Sequence, residues 1–321
     1  MRAKRMTDGD HATGATSGGH EAAIADVRAR ELEQEVGHPG ELWAVLKDRV
    51  QQHNIRRFKD VQADFLGLIW CLDRYRVVGI PPRGMGNSRH QPGARLAGVY
   101  RSKGNWFAEL TALLLGNQTK SPLAPRSNVQ GFSQLHQVDV AWPARAKPIR
   151  DPLICAETKM TGAPAYGSTP ARTATNDWSN RRKELKFAAT DLKLYRRKQH
   201  THIDHWDNWR KKQPPKTYFL WCARMEPKDS LDMMISEVRA LTDTYLDGAG
   251  LFAYRQHSSG SQYELVAVPW KARVAQLDDV LHAIANEIAD LSGPDGQPPE
   301  PEDAEPDVVD AASLIADEDR Q

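Results

Sequence analysis

Apolar positions recur along this chain with two periods, one suited to helices and one to strands, and the two kinds of stretch alternate over its C-terminal two thirds. Residues 20–36 suit a polar helix, and 41–50 and 58–75 predict two more, the latter with Phe65, Leu66, Leu68, Ile69 and Leu72 on a broad apolar face. These make a helical N-terminal section over residues 20–80. Residues 81–95 (PPRGMGNSRHQPGAR) are dense in Gly, Pro and Arg, which interrupts regular structure and predicts an exposed loop. Residues 105–115 (NWFAELTALLL) predict a buried helix. Extended runs follow at 137–142 and 153–160, then a long loop over 161–176 and a strongly basic helix over 177–199. Residues 217–223 (TYFLWCA) read as a fully buried strand, 231–245 as a helix, 251–257 and 263–269 as strands, and 276–291 as the last helix.

Strands alternating with helices predict an α/β fold, a central mixed sheet flanked by helices over residues 81–292, with the helical section as an N-terminal extension. Residues 1–19 lack apolar periodicity and 293–321 are acidic and Pro-rich, so both ends are expected to be disordered.

Charge changes this picture. The formal net charge is only +1, but ten Asp or Glu and one Arg lie from Gly293 onward, which leaves 32 acids against 42 bases before it. A basic body with an acidic tail favours a polyanionic partner, because Lys and Arg that approach phosphates release condensed counterions. Cys71, Cys155 and Cys222 sit singly in apolar runs and read as reduced core residues, which points to the cytoplasm. The N-terminal basic residues have no apolar stretch behind them and no segment has the length of a membrane span, so no membrane association is expected. The GMGN of the Gly-rich loop lacks the strand, helix and Lys of a phosphate-binding loop, so no nucleotide cofactor is expected.

Four acidic-x-Lys triplets occur: Glu157 to Lys159, Glu184 to Lys186, Asp191 to Lys193 and Glu226 to Lys228. Side chains at i and i+2 share a face on a strand and diverge on a helix, and only the first triplet lies in a convincing strand. There a carboxylate and an ammonium would flank one site. Asp139 stands in the preceding extended run, and the Pro-, Lys- and Arg-containing residues 143–152 suit a connecting loop. If the runs pair as a hairpin, Asp139 and Glu157 offer oxygen ligands to a hard divalent cation.

The Asp of QVDVA, the ExK of AETKM eighteen positions later, and a preceding helix bearing Glu109 resemble the PD-(D/E)xK nuclease superfamily, which includes type II restriction endonucleases. The resemblance covers residues 104–224, and Val138 stands where the motif's Pro would precede Asp139. It implies a restriction-endonuclease-like core and Mg²⁺-dependent hydrolysis of double-stranded DNA by a homodimer. One or two Mg²⁺ would be held by Asp139, Glu157 and Glu109, with Lys159 as the fourth catalytic residue. A repair, recombination or transposon-end nuclease of the same fold is one alternative, and a catalytically idle DNA-binding or assembly protein is another. Each acid also has a structural reading, as an exposed pair on an edge strand, a strand-end turn residue, or a Glu facing solvent.

For DNA contact, the basic helix offers Arg181, Arg182, Lys183 and Lys186, and the loop before it offers Tyr166, Arg172 and Asn176, types that read base edges or stack. A solvated charged face and a floppy linker are the plain readings of the two segments. His200, His202 and His205 have no further Cys or His to complete a tetrahedral metal set, and Trp206, Trp209 and Trp221 read as packing residues.

Overall fold

The computed structural model describes residues 15–87, 89–198, 214–272, 274–293 and 298–299. Most of the acidic tail, the first fourteen residues, His200, His202, His205, Trp206 and Trp209 lie outside them.

Six strands form one sheet in chain order: β1 (Ala124–Gln130), β2 (Leu135–Trp142), β3 (Ile154–Thr161), β4 (Lys216–Met225), β5 (Gly248–Gln256) and β6 (Tyr263–Val266). The first three run antiparallel as a meander, β3, β4 and β5 are mutually parallel, and β6 returns antiparallel to β5. Parallel neighbours need long crossovers. Helix α6 (Trp178–Lys198) makes the first, and α7 (Leu231–Thr242) makes the second. Both pack on one face, where Leu185, Met234, Ile235 and Val238 meet Phe219, Trp221 and Leu251. On the other face α5 (Ser102–Thr119) and α8 (Leu277–Leu291) bring Phe107, Leu110, Leu114, Val280 and Ile284 against Val140, Ile154, Ala156, Leu220 and Cys222. Covered on both sides, β4 is buried at eight consecutive positions, which is why its sequence is continuously apolar rather than alternating. The mixed α/β sheet flanked by helices is as expected.

Of the N-terminal helices α1 (Ala15–Val36), α2 (Pro39–Gln52) and α3 (Gln62–Val78), α1 packs on α3 in a small cluster of Leu32, Val36, Cys71 and Tyr75, while α2 and α3 join the main core. Leu46, Val50, Phe65, Ile69 and Leu72 belong to the cluster that contains α5, α8 and the sheet. Phe58 joins them, its ring 4.8 Å from Phe252 of β5 and edge-on to it. Burying an aromatic or large aliphatic side chain contributes roughly 1.5–3 kcal/mol, so this interface fixes the N-terminal section firmly to the sheet.

Three elements depart from expectation. Helix α1 starts at Ala15 rather than residue 20. Helix α4 (Pro92–Tyr100) occupies the end of the predicted loop, with Pro92 in the first turn, where its missing N–H costs no bond, and Leu96, Val99 and Tyr100 turned inward. Strand β1 had no apolar alternation to announce it: Arg126 and Asn128 are exposed on this edge strand, and pairing with β2 defines it.

A buried ionic cluster lies where the carboxyl ends of the parallel strands meet α3, α4 and α5. The Asp73 carboxylate accepts from Tyr100 Oη at 2.7 Å and from Tyr263 Oη, with Arg224 Nε 3.8 Å away. Lys103 Nζ donates to Tyr100 Oη at 2.8 Å and to the Gly162 carbonyl at 2.9 Å, and Arg224 also pairs with Glu226. Burial pulls the Lys103 ammonium down to about 8. Gly162 follows β3 directly at φ +79°, and a side chain there would collide with the Arg224 carbonyl. The exit of β3 is therefore held from both sides.

Candidate active site

The ladder between β2 and β3 is short. It pairs Trp142 with Ile154, Ala141 with Cys155 and Val140 with Ala156, and goes no further. Just beyond its last pair stand Asp139 on β2 and Glu157, Thr158 and Lys159 on β3. Instead of a backbone partner on β2, Thr158 finds the Asp139 side chain: its N–H and its hydroxyl donate to Oδ2 at 2.9 and 3.0 Å.

Glu157 and Lys159 project from one face of β3, as strand geometry requires, with Lys159 Nζ 3.3 Å from Glu157 Oε2. Cys155 on the same face packs with Leu192 of α6, so this is the α6 side of the sheet. The Glu157 side chain keeps only 19% of its exposure and that of Lys159 keeps 33%, so both are sheltered yet reachable. Burial pushes the Glu157 carboxyl up to about 7; Lys159 pulls it down, and the neighbouring Asp139 carboxylate pushes it further up. Two carboxylates crowd one partly desolvated spot, with one ammonium beside them. That is an electrostatic surplus of negative charge which a cation would relieve.

The other three triplets separate as helix and loop geometry demands. Glu184 pairs with Arg181 while Lys186 lies over the Tyr245 ring. Asp191 pairs with His136 and Lys193 with Asp247, and Glu226 bonds Arg224 rather than Lys228.

Glu109 is not brought to the pair by any hydrogen bond or ion pair. It lies half-buried on α5, the helix that covers the opposite face through Leu110 and Ala156. No group of three His, Cys, Asp or Glu side chains suited to a metal occurs among the described residues. The site's donors are two carboxylates, hard oxygen ligands of the kind Mg²⁺ takes with water completing its shell.

The loop after β3 is more ordered than its composition suggested. Bridges between Ala163 and Arg172 and between Tyr166 and Thr169 make it a small hairpin beside the site. Tyr166 buttresses this hairpin: its ring rests on Gly79, the left-handed residue that ends α3, where an added Cβ would come within 2.7 Å. Arg76 lies over the same ring and reaches the Pro164 carbonyl. Arg172 and Asn176 are exposed. Asp229 holds the entry to α6, accepting from Ala174 N and Thr175 Oγ1. Trp178 then stacks on Trp221 at 4.0 Å, next to Lys159 in the β3–β4 register. Of the basic residues on α6, Arg181 and Arg182 are engaged with Glu184 and Glu237, Lys186 with Tyr245, and Lys183 is exposed.

Two features had no clear mark in the sequence. Thr158 looks like any β-branched strand residue. The buried pair of His136 on β2 and Asp191 on α6, 2.8 Å apart, needed the tertiary fold to bring its halves together, and His136 with Ser133 holds the Asp191 carboxyl below the usual range against the cost of burial.

No protein family, curated protein or solved structure matches this chain. Among the described residues no helix is long and apolar enough to cross a membrane.

Proposed function

We propose that this protein is a Mg²⁺-dependent endonuclease that hydrolyses phosphodiester bonds of double-stranded DNA, of the type II restriction class. The observation that carries the reading is the splayed end of β2 and β3, where Asp139, Glu157 and Lys159 converge beside an exposed hairpin and a basic helix. The chain order supports it: an antiparallel meander bearing the acids, a crossover helix, then a parallel strand, as in the PD-(D/E)xK core that the motif resembles.

Asp139 and Glu157 would hold the cation. When bound, it supplies charge stabilisation for the phosphate and acidifies a nucleophilic water. The Lys159 ammonium, 3.3 Å from Glu157, offsets charge building on the phosphate and orients the attacking water. Arg172 and Lys183 are the exposed cations that would meet the backbone on either side. Because one such site addresses one strand, two copies related by a twofold axis would cut both.

Incubating the chain with plasmid DNA and Mg²⁺ tests the reading. Discrete fragments that vanish on chelation are expected. A structure-dependent nick or smear would assign the same site to a repair or recombination nuclease, and intact plasmid at every divalent cation tried would remove the nuclease reading.

A further inference from the structure

The Asp139 carboxylate is used unequally. Oδ2 is held by two donors from one residue, the Thr158 N–H at 2.9 Å and the Thr158 hydroxyl at 3.0 Å. No N–H among the described residues donates to Oδ1, and the Glu157 carboxyl is the other hydrogen-bonding neighbour of this carboxylate. Thr158 itself is 4% exposed, and its strand is clamped on its far edge by the parallel ladder to β4, which continues through Thr158 to Thr161. The donor pair is therefore fixed to a strand laddered at this point to β4, whereas Asp139 lies where β2 has left its ladder with β3.

Building on the nuclease reading, we infer that Thr158 is a positioning residue that presets Asp139, occupying Oδ2 so that Oδ1 takes the divalent cation together with Glu157. The physical need is plain. A site with only two carboxylates has little binding energy to spare for ordering a mobile side chain at the frayed end of a ladder. A two-point hold on one oxygen removes that ordering cost before the cation arrives, and groups that orient ligands in this way commonly govern metal affinity. The backbone N–H is common to any residue at this position, so the hydroxyl is the part the Thr side chain adds.

The test uses the full chain and Mn²⁺ as the probe. Mn²⁺ binding is followed by electron paramagnetic resonance, and plasmid cleavage is followed against Mg²⁺ concentration, for wild type, Thr158→Ser, Thr158→Val and Thr158→Ala, each checked for folding by circular dichroism. Losing the hydroxyl in Val or Ala should weaken Mn²⁺ binding about tenfold and raise the Mg²⁺ needed for half-maximal cleavage by about the same factor, while Ser stays within about twofold of wild type. Ala decides the matter if Val fails to fold. The inference is overturned if the hydroxyl-free variants bind Mn²⁺ as wild type does, or if Ser is as impaired as Val, which would mark a packing role. Mn²⁺ binding that depends on the hydroxyl in a chain that cuts no DNA would keep the positioning role and remove the nuclease reading; wild type without Mn²⁺ binding would remove both.

Discussion

Two sheltered clusters of charge among the described residues are built on opposite plans. Around Asp73 every charge has its counterpart: two tyrosine hydroxyls and Arg224 serve the carboxylate, Lys103 reaches a tyrosine and a carbonyl, and Glu226 takes the rest of Arg224. Around Asp139 and Glu157 the charges do not balance, since two acids stand beside one lysine, and burial together with the Asp139 carboxylate pushes Glu157 toward neutrality. Burial of charge is common to both. What separates them is completeness, and the incomplete cluster is where the cation is proposed to bind.

The largest effect should come from breaking the complete cluster. Asp73→Ala leaves the Tyr100 and Tyr263 hydroxyls without their acceptor and removes the carboxylate beside buried Arg224 and Lys103, and denaturant unfolding should show a loss of about 3–5 kcal/mol. A loss below about 1 kcal/mol would mean that solvent reaches the cluster.

At the incomplete cluster the sign reverses. The Glu157 carboxyl is raised from its ordinary 4.5 to about 7, so in the metal-free chain its contribution to stability is fully present below pH 4.5 and is lost as pH rises through 7. Glu157→Gln should therefore stabilise the metal-free protein at pH 8, by roughly 1–2 kcal/mol, while abolishing divalent binding. Protons compete with the cation for the same oxygens, so Mn²⁺ affinity should fall as pH drops from 8 to 6. Thermal melts with and without Mn²⁺ across that range check both statements; a destabilised Gln variant, or affinity indifferent to pH, would contradict them. Lys103 acts in a different window. Its folded value near 8 lies below the ordinary 10.5, so its contribution improves as pH rises between those values.

Smaller effects sharpen the boundary of the site. Glu109→Ala should change the cleavage rate by less than about threefold, because nothing connects Glu109 to the pair; a loss comparable to that of Asp139→Ala would place it among the ligands. Smallest of all, Lys183→Ala should weaken DNA binding uniformly across sequences and reduce the dependence of log affinity on log salt by about one. An unchanged salt slope would take the basic helix away from the backbone.

How much of this could be read along the chain depends on whether the signal was local. The Glu157–Lys159 pair was legible because a strand places i and i+2 together, and the rival triplets failed for the same reason. The apolar run of β4 announced a strand covered on both faces. Strand β1 was hidden because an edge strand is stabilised by its partner's backbone rather than by its own pattern, and α4 was hidden behind Gly and Pro residues that serve as a helix start. Glu109 could not be placed from sequence, because a helix next to the motif along the chain packs through Leu110 on the face opposite Glu157. Asp73, Lys103 and Arg224 lie far apart along the chain, and only the fold shows that they find one another. Thr158 carried no mark, since its role exists only once β2 and β3 part.

In the proposed nuclease Asp139, Glu157 and Lys159 act as one cation-assisted site on DNA. Asp139→Ala, Glu157→Ala and Lys159→Ala, each shown to be folded by circular dichroism, should lower the Mg²⁺-dependent plasmid cleavage rate on the order of a thousandfold or more, a loss of at least about 4 kcal/mol of transition-state stabilisation. Wild-type cutting by all three variants would contradict the account.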